Sequence, residues 1–299
     1  MGKSIKLTDK QKEFIVYNYT VLKRGVNSIG KDLKISGLTV QRHLKKMGIR
    51  IRNLQEAMQE IRAYNVNDNY FKIQSHNMAY ILGLIASDGC VSANTNHFFI
   101  DLQENDEEIL YKIKDEMSFE GPIEHYVNNS GCHYSRIRIC SKTIKEDLAQ
   151  YGIVPKKTFT LEPPFFLDKQ YYISYIRGYF DGDGCIYTNF EKHNYNWYIC
   201  GARKKVIDWI KDYLLNEFGI ISYLHSSNKI LSQGDLFYSI QIYKKETISR
   251  LFKILYVPNS LCLNRKYQIM KNFYDINSTR LYSLSDKEKR YAELMSNEA

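Results

Sequence analysis

Apolar and polar residues alternate along several short stretches of the chain, and runs with helical spacing separate those stretches. In Tyr134-Ser135-Arg136-Ile137-Arg138-Ile139-Cys140, Ile137 and Ile139 fall on one side of an extended strand and Arg136 and Arg138 on the other. Phe98, Ile100 and Leu102 alternate in the same way against His97, Asp101 and Gln103, and Ile240 and Ile242 against Ser239, Gln241 and Tyr243. The pattern predicts strands at 90–93, 97–103, 122–127 and 134–140, with helices at 106–117 and 141–151. The order then recurs, with strands at 185–188, 197–200, 220–225 and 237–243 and helices at 204–218 and 245–255. A mostly apolar helix precedes each series, so the chain is expected to be α+β, with two tandem αββαββα repeats. Strands apolar on one side fit antiparallel sheets that turn one face to a core and the other to solvent.

The two leading helices are copies of one another. Ala79-Tyr80-Ile81-Leu82-Gly83-Leu84-Ile85-Ala86-Ser87-Asp88-Gly89-Cys90 returns as Ser174-Tyr175-Ile176-Arg177-Gly178-Tyr179-Phe180-Asp181-Gly182-Asp183-Gly184-Cys185. Small residues stand four apart in each copy (Gly83 and Ser87, Gly178 and Gly182), on one face, where they let two helix backbones approach closely. If the copies pack together, Asp88 and Asp183 emerge side by side. Each carboxylate then faces the negative end of its helix dipole and repels the other. A hard divalent cation relieves both problems, because oxygen ligands suit Mg2+. One Asp-Gly more simply stops a helix before a turn; its recurrence on duplicated small-residue helices argues for a metal site.

Gly178-Tyr179-Phe180-Asp181-Gly182-Asp183-Gly184 resembles the LAGLIDADG motif of homing endonucleases, and Leu82-Gly83-Leu84-Ile85-Ala86-Ser87-Asp88-Gly89 is similar to its other half. The resemblance runs from Met78 to Tyr274 and suits a single-chain, two-repeat member. Ala86 departs from it, standing where many members carry the motif's first acid, as Asp181 does. The resemblance implies two saddle-shaped antiparallel sheets over duplex DNA, with Gly83 and Gly178 at the helix interface. It implies a Mg2+-dependent double-strand break that leaves 3′ overhangs, with Asp88 and Asp183 as catalytic metal ligands helped by the carbonyls of Ser87 and Gly182. Lys142 and Lys245, after the last strand of each repeat, are the implied catalytic cations that stabilise charge on the pentavalent phosphate, with Lys244 a rival in the second. Gln103, Arg136, Arg138, Ser239 and Gln241 lie on polar strand faces suited to base reading. Pro155-Lys156-Lys157-Thr158 and Leu263-Asn264-Arg265-Lys266-Tyr267, at the repeat ends, are expected to grip phosphates.

The N-terminal segment follows a different pattern. Thr8 to Leu22 reads as a helix capped by Thr8, with Phe14, Ile15, Tyr17, Tyr19 and Leu22 among its apolar positions and Gly25 ending it. A short helix at 27–33, a turn at Lys34-Ile35 and a helix at 38–46 capped by Ser36 follow. Ile29, Leu33, Ile35, Val40 and Leu44 fall where a small core is needed, and the pattern resembles the DNA-binding helix-turn-helix family. Lys34 sits at a turn position where Gly is frequent. The resemblance exposes Gln41, Arg42 and Lys45 to the major groove, Gln41 suiting adenine and Arg42 guanine or phosphate.

Charge sharpens this division. Of 42 Lys and Arg residues, 13 lie in residues 1–53 with only 3 acids, whereas the remaining 29 face 30 acids. A compact basic segment marks contact with a polyanion. The 25 tyrosines suit a surface both apolar and hydrogen-bonding. Six cysteines without Cys-x-x-Cys spacing read as reduced thiols in an intracellular protein, not as a zinc site. No apolar run approaches bilayer length, and no signal peptide opens the chain. The expected organisation is a helix-turn-helix domain at 1–53, a linker at 54–76 with a helical pattern at 54–61, repeats at 77–168 and 169–276, and a tail at 277–299. The expected partner is double-stranded DNA, bound by a monomer. A non-catalytic DNA-binding regulator or an intron RNA maturase are the alternatives. An intein is not expected, since Met1 and Ala299 lack the splice-junction nucleophile and terminal Asn.

Overall fold

A computed structural model describes residues 7–22, 24–53, 64–230 and 236–277, and the chain divides into two units, Met1–Tyr64 and Asn65–Ala299. The helical pattern expected at 54–61 and the tail from 278 lie outside the described residues.

In the first unit, α1 (Asp9–Thr20) opens on a reciprocal cap: Gln11 N donates to Thr8 Oγ1 at 3.3 Å, and Thr8 N donates to Gln11 Oε1 at 3.0 Å. Helices α2 (Val26–Asp32) and α3 (Gly37–Lys46) follow, the latter capped by Ser36, whose Oγ accepts from Thr39 N at 3.2 Å. Ile15, Tyr19, Ile29, Val40 and Leu44 are buried together, and Leu33 and Ile35 pack against them. Lys34 joins α2 to α3 with φ +55°, the left-handed conformation that glycine adopts at least cost. At Gly30 a Cβ would lie 2.6 Å from Ile35 O, so the turn closes directly over a bare backbone. The expected apolar face of α1 is narrower than the sequence suggested. Phe14, Tyr17 and Leu22 are exposed, because three short helices offer a core wide enough only for Ile15 and Tyr19.

The second unit holds two copies of one α+β plan. The first copy is α4 (His76–Asp88), β1 (Gly89–Val91), β2 (His97–Gln103), α5 (Glu108–Glu116), β3 (Ile123–Val127), β4 (His133–Cys140) and α6 (Lys142–Gln150). The second is α7 (Tyr172–Asp183), β5 (Gly184–Asn189), β6 (Asn194–Gly201), α8 (Lys204–Phe218), β7 (Tyr223–Ile230), β8 (Leu236–Ile242) and α9 (Lys245–Leu255), with a further helix α10 (Asn264–Asn277). Both sheets are antiparallel with the same order, β1-β2-β4-β3 and β5-β6-β8-β7. Phe98, Ile100, Ile137 and Ile139 of one sheet, and Trp197, Ile199, Ile240 and Ile242 of the other, enter a core that also takes in both motif helices. Fully burying each such side chain contributes about 1.5–3 kcal/mol.

Two strand starts and one helix differ most from the sequence pattern. Strand β7 begins at Tyr223, not 220, because Gly219 (φ +63°) ends α8 and the buried Ile220 is spent anchoring the connection. Strand β6 begins three residues early, Asn194 and Asn196 facing outward between the buried Tyr195 and Trp197. Helix α10 was not anticipated: its buried side is only Lys266, Met270 and Phe273 in an otherwise polar run. Among the described residues no helix is long and apolar enough to cross a membrane.

Candidate active site at the paired helix ends

Helices α4 and α7 touch along their whole length, N-terminus beside N-terminus. At the start, His76 Nδ1 and Ser174 Oγ share a hydrogen bond of 3.0 Å. Midway the contact is backbone on backbone. A Cβ on Gly83 would meet Tyr175 O at 2.1 Å, and a Cβ on Gly178 would meet Tyr80 O at 2.0 Å. At the end, a Cβ on Gly182 would lie 1.9 Å from Ser87 Oγ and 2.9 Å from Asp88 Oδ2. The absence of side chains at these three positions therefore brings the Asp88 carboxylate against the last turn of α7, next to Asp183. Ser87 turns its hydroxyl back to its own helix, donating within reach of Leu84 O at 3.0 Å.

The acid pair is electrostatically costly. Burial and then the charge of Asp183 push the Asp88 carboxyl up to about 6, and burial likewise raises Asp183. Two lysines oppose these shifts, Lys157 and Lys266. Both are buried, and burial lowers both ammonium groups while the neighbouring acids hold their protons on. Lys156, in the left-handed conformation (φ 62°), starts the 3-10 turn that directs Lys157 inward, where its Nζ donates to Ser87 O at 3.1 Å. Lys266 donates to Phe180 O at 2.8 Å, Asp181 O at 2.6 Å, Gly182 O at 3.2 Å and Gly184 O at 2.7 Å. An ammonium there satisfies carbonyls that a helix end leaves without intrahelical partners and meets the negative end of its dipole.

Behind Lys266 lies a buried polar network. Asp181 accepts from Tyr80 Oη at 2.8 Å, Tyr256 Oη at 3.0 Å and Leu263 N at 2.7 Å. The fully buried Arg177 donates to Leu255 O and Leu261 O, each at 2.8 Å. Together they fix the segment leading into α10 and so set the position of Lys266. Arg265 adds a bidentate pair to Asp106 of the first repeat, at 3.1 and 2.8 Å. Ala86, buried in α4, offers no counterpart to Asp181.

The lysines singled out from the sequence stand elsewhere. Lys142 begins α6 on the surface, 3.5 Å from Glu146, and the exposed Lys245 begins α9. Neither is among the charges acting on Asp88 or Asp183. Lys157 and Lys266, expected to grip phosphates, occupy the position by the acids instead, since their side chains fold inward from connections that the sequence shows only as basic. Ser239 and Gln241 face outward from β8, Gln241 bonded by Asn196 Nδ2 at 2.9 Å and Tyr243 Oη at 2.7 Å. Gln103 is exposed at the end of β2, and Arg136 and Arg138 lie on the same sheet face, each beside a carboxylate. In the first unit Arg42 and Lys45 are exposed on α3 and Gln41 is half-buried.

Among the described residues no cluster of three His, Cys, Asp or Glu side chains has the geometry to hold a metal. What the chain offers is an oxygen set, the two carboxylates with the carbonyls of Ser87 and Gly182, each of which already accepts from a lysine. Mg2+ is ordinarily held by one or two carboxylates, with waters and substrate phosphates completing its shell. The bare Gly182 beside Asp88 and the raised carboxyls fit such an ion.

Residues 170–256 match the LAGLIDADG-like domain family. The chain is 30% identical over 151 residues to the DNA-directed RNA polymerase subunit Rpo1C of Methanocaldococcus jannaschii, a match covering 49% of this chain and 16% of that protein. It is 22% identical over 173 residues to the ribonucleoside-diphosphate reductase NrdEB subunit alpha of Bacillus subtilis, covering 54% and 16%. The chain thus spans about a sixth of the length of these relatives. Similar solved structures include meganuclease I-SmaMI bound to uncleavable DNA (11% identity, 75% of this chain and 98% of that one, TM-score 0.45). I-DmoI in complex with DNA and Mn is another (17% identity, 63% and 98%, TM-score 0.40), as is full-length DUF199/WhiA from Thermatoga maritima (15% identity, 77% and 70%, TM-score 0.44). The second repeat of this chain thus matches a LAGLIDADG-like domain, and the first repeats its motif helix and strand order.

Proposed function

We propose that the chain is a site-specific, metal-dependent DNA endonuclease that breaks both strands of a long target and leaves 3′ overhangs. The observation that carries this reading is the acid pair, Asp88 and Asp183, forced together by helices that meet backbone to backbone at Gly83 and Gly178. A fold does not by itself bury two carboxylates side by side, where burial raises the proton affinity of both and the charge of Asp183 raises that of Asp88 further; such clustering marks chemistry. Asp88 and Asp183 would hold divalent metal, Mg2+ in the cell, which when bound supplies the charge that lowers the proton affinity of water and stabilises a leaving oxygen. Lys157 and Lys266 replace Lys142 and Lys245 as the cations that stabilise charge growing on the scissile phosphate. The Lys157 ammonium has a single carbonyl partner among its observed hydrogen bonds and is the freer to turn toward phosphate. The outward faces of the two sheets meet the duplex, Ser239 and Gln241 reading bases while the exposed Arg138 adds charge. The basic first unit, read as a helix-turn-helix, places Gln41, Arg42 and Lys45 in a major groove and supplies salt-dependent affinity.

Incubating the purified chain with a duplex library and Mg2+ tests this. Cleavage should appear, vanish with EDTA, and vanish in the Asp88→Asn, Asp183→Asn double variant while binding persists. Full cutting by that variant would end the proposal. The four carbonyl bonds of Lys266, a structural use of that cation, favour a second reading as a DNA-binding regulator without catalysis. Selective binding with no cutting under any divalent metal would establish it.

A further inference from the structure

Arg136 lies on the outward face of the first sheet, directly opposite Asp101 in the β2–β4 register. Its Nε and Nη2 both donate to the Asp101 carboxylate, the Nη2 bond at 2.9 Å. Phe99 and Tyr126 flank the guanidinium, with ring centroids 4.5 and 4.8 Å away. The side chain keeps 21% of its exposure, so the group is clamped yet reachable from solvent. Arg138, two residues on, differs. It makes one bond to Glu124 at 3.0 Å, and 42% of its side chain is exposed.

A guanidinium carries five N–H donors in a planar fork. Side-on pairing through Nε and Nη2 leaves the end-on edge, with hydrogens on Nη1 and Nη2, pointing away from the carboxylate; its one protein contact is a long bond from Nη2 to Tyr126 Oη at 3.4 Å, which a base edge would replace. Two parallel donors of that kind match O6 and N7 of guanine in a major groove. A free arginine must surrender rotamer entropy to make that contact, whereas Arg136 has surrendered it already on folding. The carboxylate also cancels the long-range pull of the arginine on phosphate, so the pair favours a neutral acceptor edge over the backbone.

We infer that Arg136 is a preset guanine reader of the first repeat, that Asp101 is its positioning residue, and that Arg138 adds only non-specific charge. This rests on the DNA-binding reading proposed above. The test selects bound duplexes from a randomised library in EDTA with the full chain, as wild type, Arg136→Lys, Asp101→Asn and Arg138→Lys. Wild type should enrich one site. Arg136→Lys keeps the charge but loses the fork, so preference at a single G·C pair should fall roughly ten- to a hundredfold with the salt dependence unchanged. Asp101→Asn should weaken preference at the same pair, raise affinity for random duplex, and steepen the salt slope by about one ion. Arg138→Lys should alter no position. Melting temperature checks folding; should Arg136→Lys unfold, Asp101→Asn decides alone. A defined wild-type site whose every position survives the Asp101→Asn and Arg136→Lys changes overturns the inference and leaves DNA binding standing. A wild type that enriches no sequence removes both.

Discussion

In the second repeat the motif helix is closed by Lys266, whose ammonium reaches four backbone carbonyls, and is braced by Asp181, which three donors hold. In the first repeat Lys157 reaches one carbonyl, and Ala86 stands where Asp181 would be. The sheets differ in the same spirit. Arginines on the outward face of the first are paired with Asp101 and Glu124, whereas Asn196, Tyr198, Ser239, Gln241 and Tyr243 give the second an uncharged, hydrogen-bonding surface. Duplication therefore kept the backbone plan and let the polar chemistry diverge. One copy spends its lysine on holding the helix end, and the other leaves it closer to free.

The most severe way to probe this contrast is to remove the acids. Asp88→Asn and Asp183→Asn should each cut the rate of DNA cleavage by about a thousandfold or more, as removal of a group that orders charge at a reacting phosphate does. Gel-based cleavage and nicking assays check it, and near-wild-type cutting by either variant would break the shared-site picture.

Exchanging the lysines sharpens the comparison. Lys266→Met should destabilise the fold by about 3 kcal/mol, since buried carbonyls lose a charged donor. Lys157→Met should cost about 1 kcal/mol and act mainly on cleavage. Chemical denaturation curves set beside cleavage rates separate the two; equal destabilisation would show that the repeats use their lysines alike. The glycines should instead behave alike. Gly83→Ala and Gly178→Ala each drive a Cβ into a backbone carbonyl, and each should cost about 2–3 kcal/mol in thermal unfolding.

The smallest effect is a pH dependence at the N-terminal end of the pair. Burial, with Arg177 adding repulsion, lowers the His76 imidazole to about 4 from an ordinary 6.5. The unfolded chain then takes up the proton first, so His76 contributes full stability above pH 6.5 and loses it as pH falls toward 4. The loss is on the order of 2–3 kcal/mol. Asp88 and Asp183, with raised values, act in the opposite sense, so the informative measurement compares melting temperatures of wild type and His76→Gln from pH 7 to 4. Parallel curves would contradict a neutral buried imidazole.

Much of this was legible in the sequence. Alternation located the strands because each sheet has one dry face, as Ile137 and Ile139 against Arg136 and Arg138 show. The doubled motif announced two helices that pack by small residues. The lysines were not legible, because Lys157 and Lys266 turn inward from connections whose sequences advertise only positive charge. A signal for Lys266 did exist: it shares a face with Met270 and Phe273, four and seven residues on, and a lysine on the apolar side of a helix is rarely solvated. Nothing comparable marks Lys157, whose direction follows from the left-handed Lys156 before it.

The contact at Gly83 and Gly178 has one more consequence. Because peptide groups meet there without an intervening side chain, no rotamer change can widen or narrow the crossing. The distance between the two helix ends that carry Asp88 and Asp183 is therefore a main-chain property, and only rotation of the two carboxylate side chains is left to adapt to what they hold.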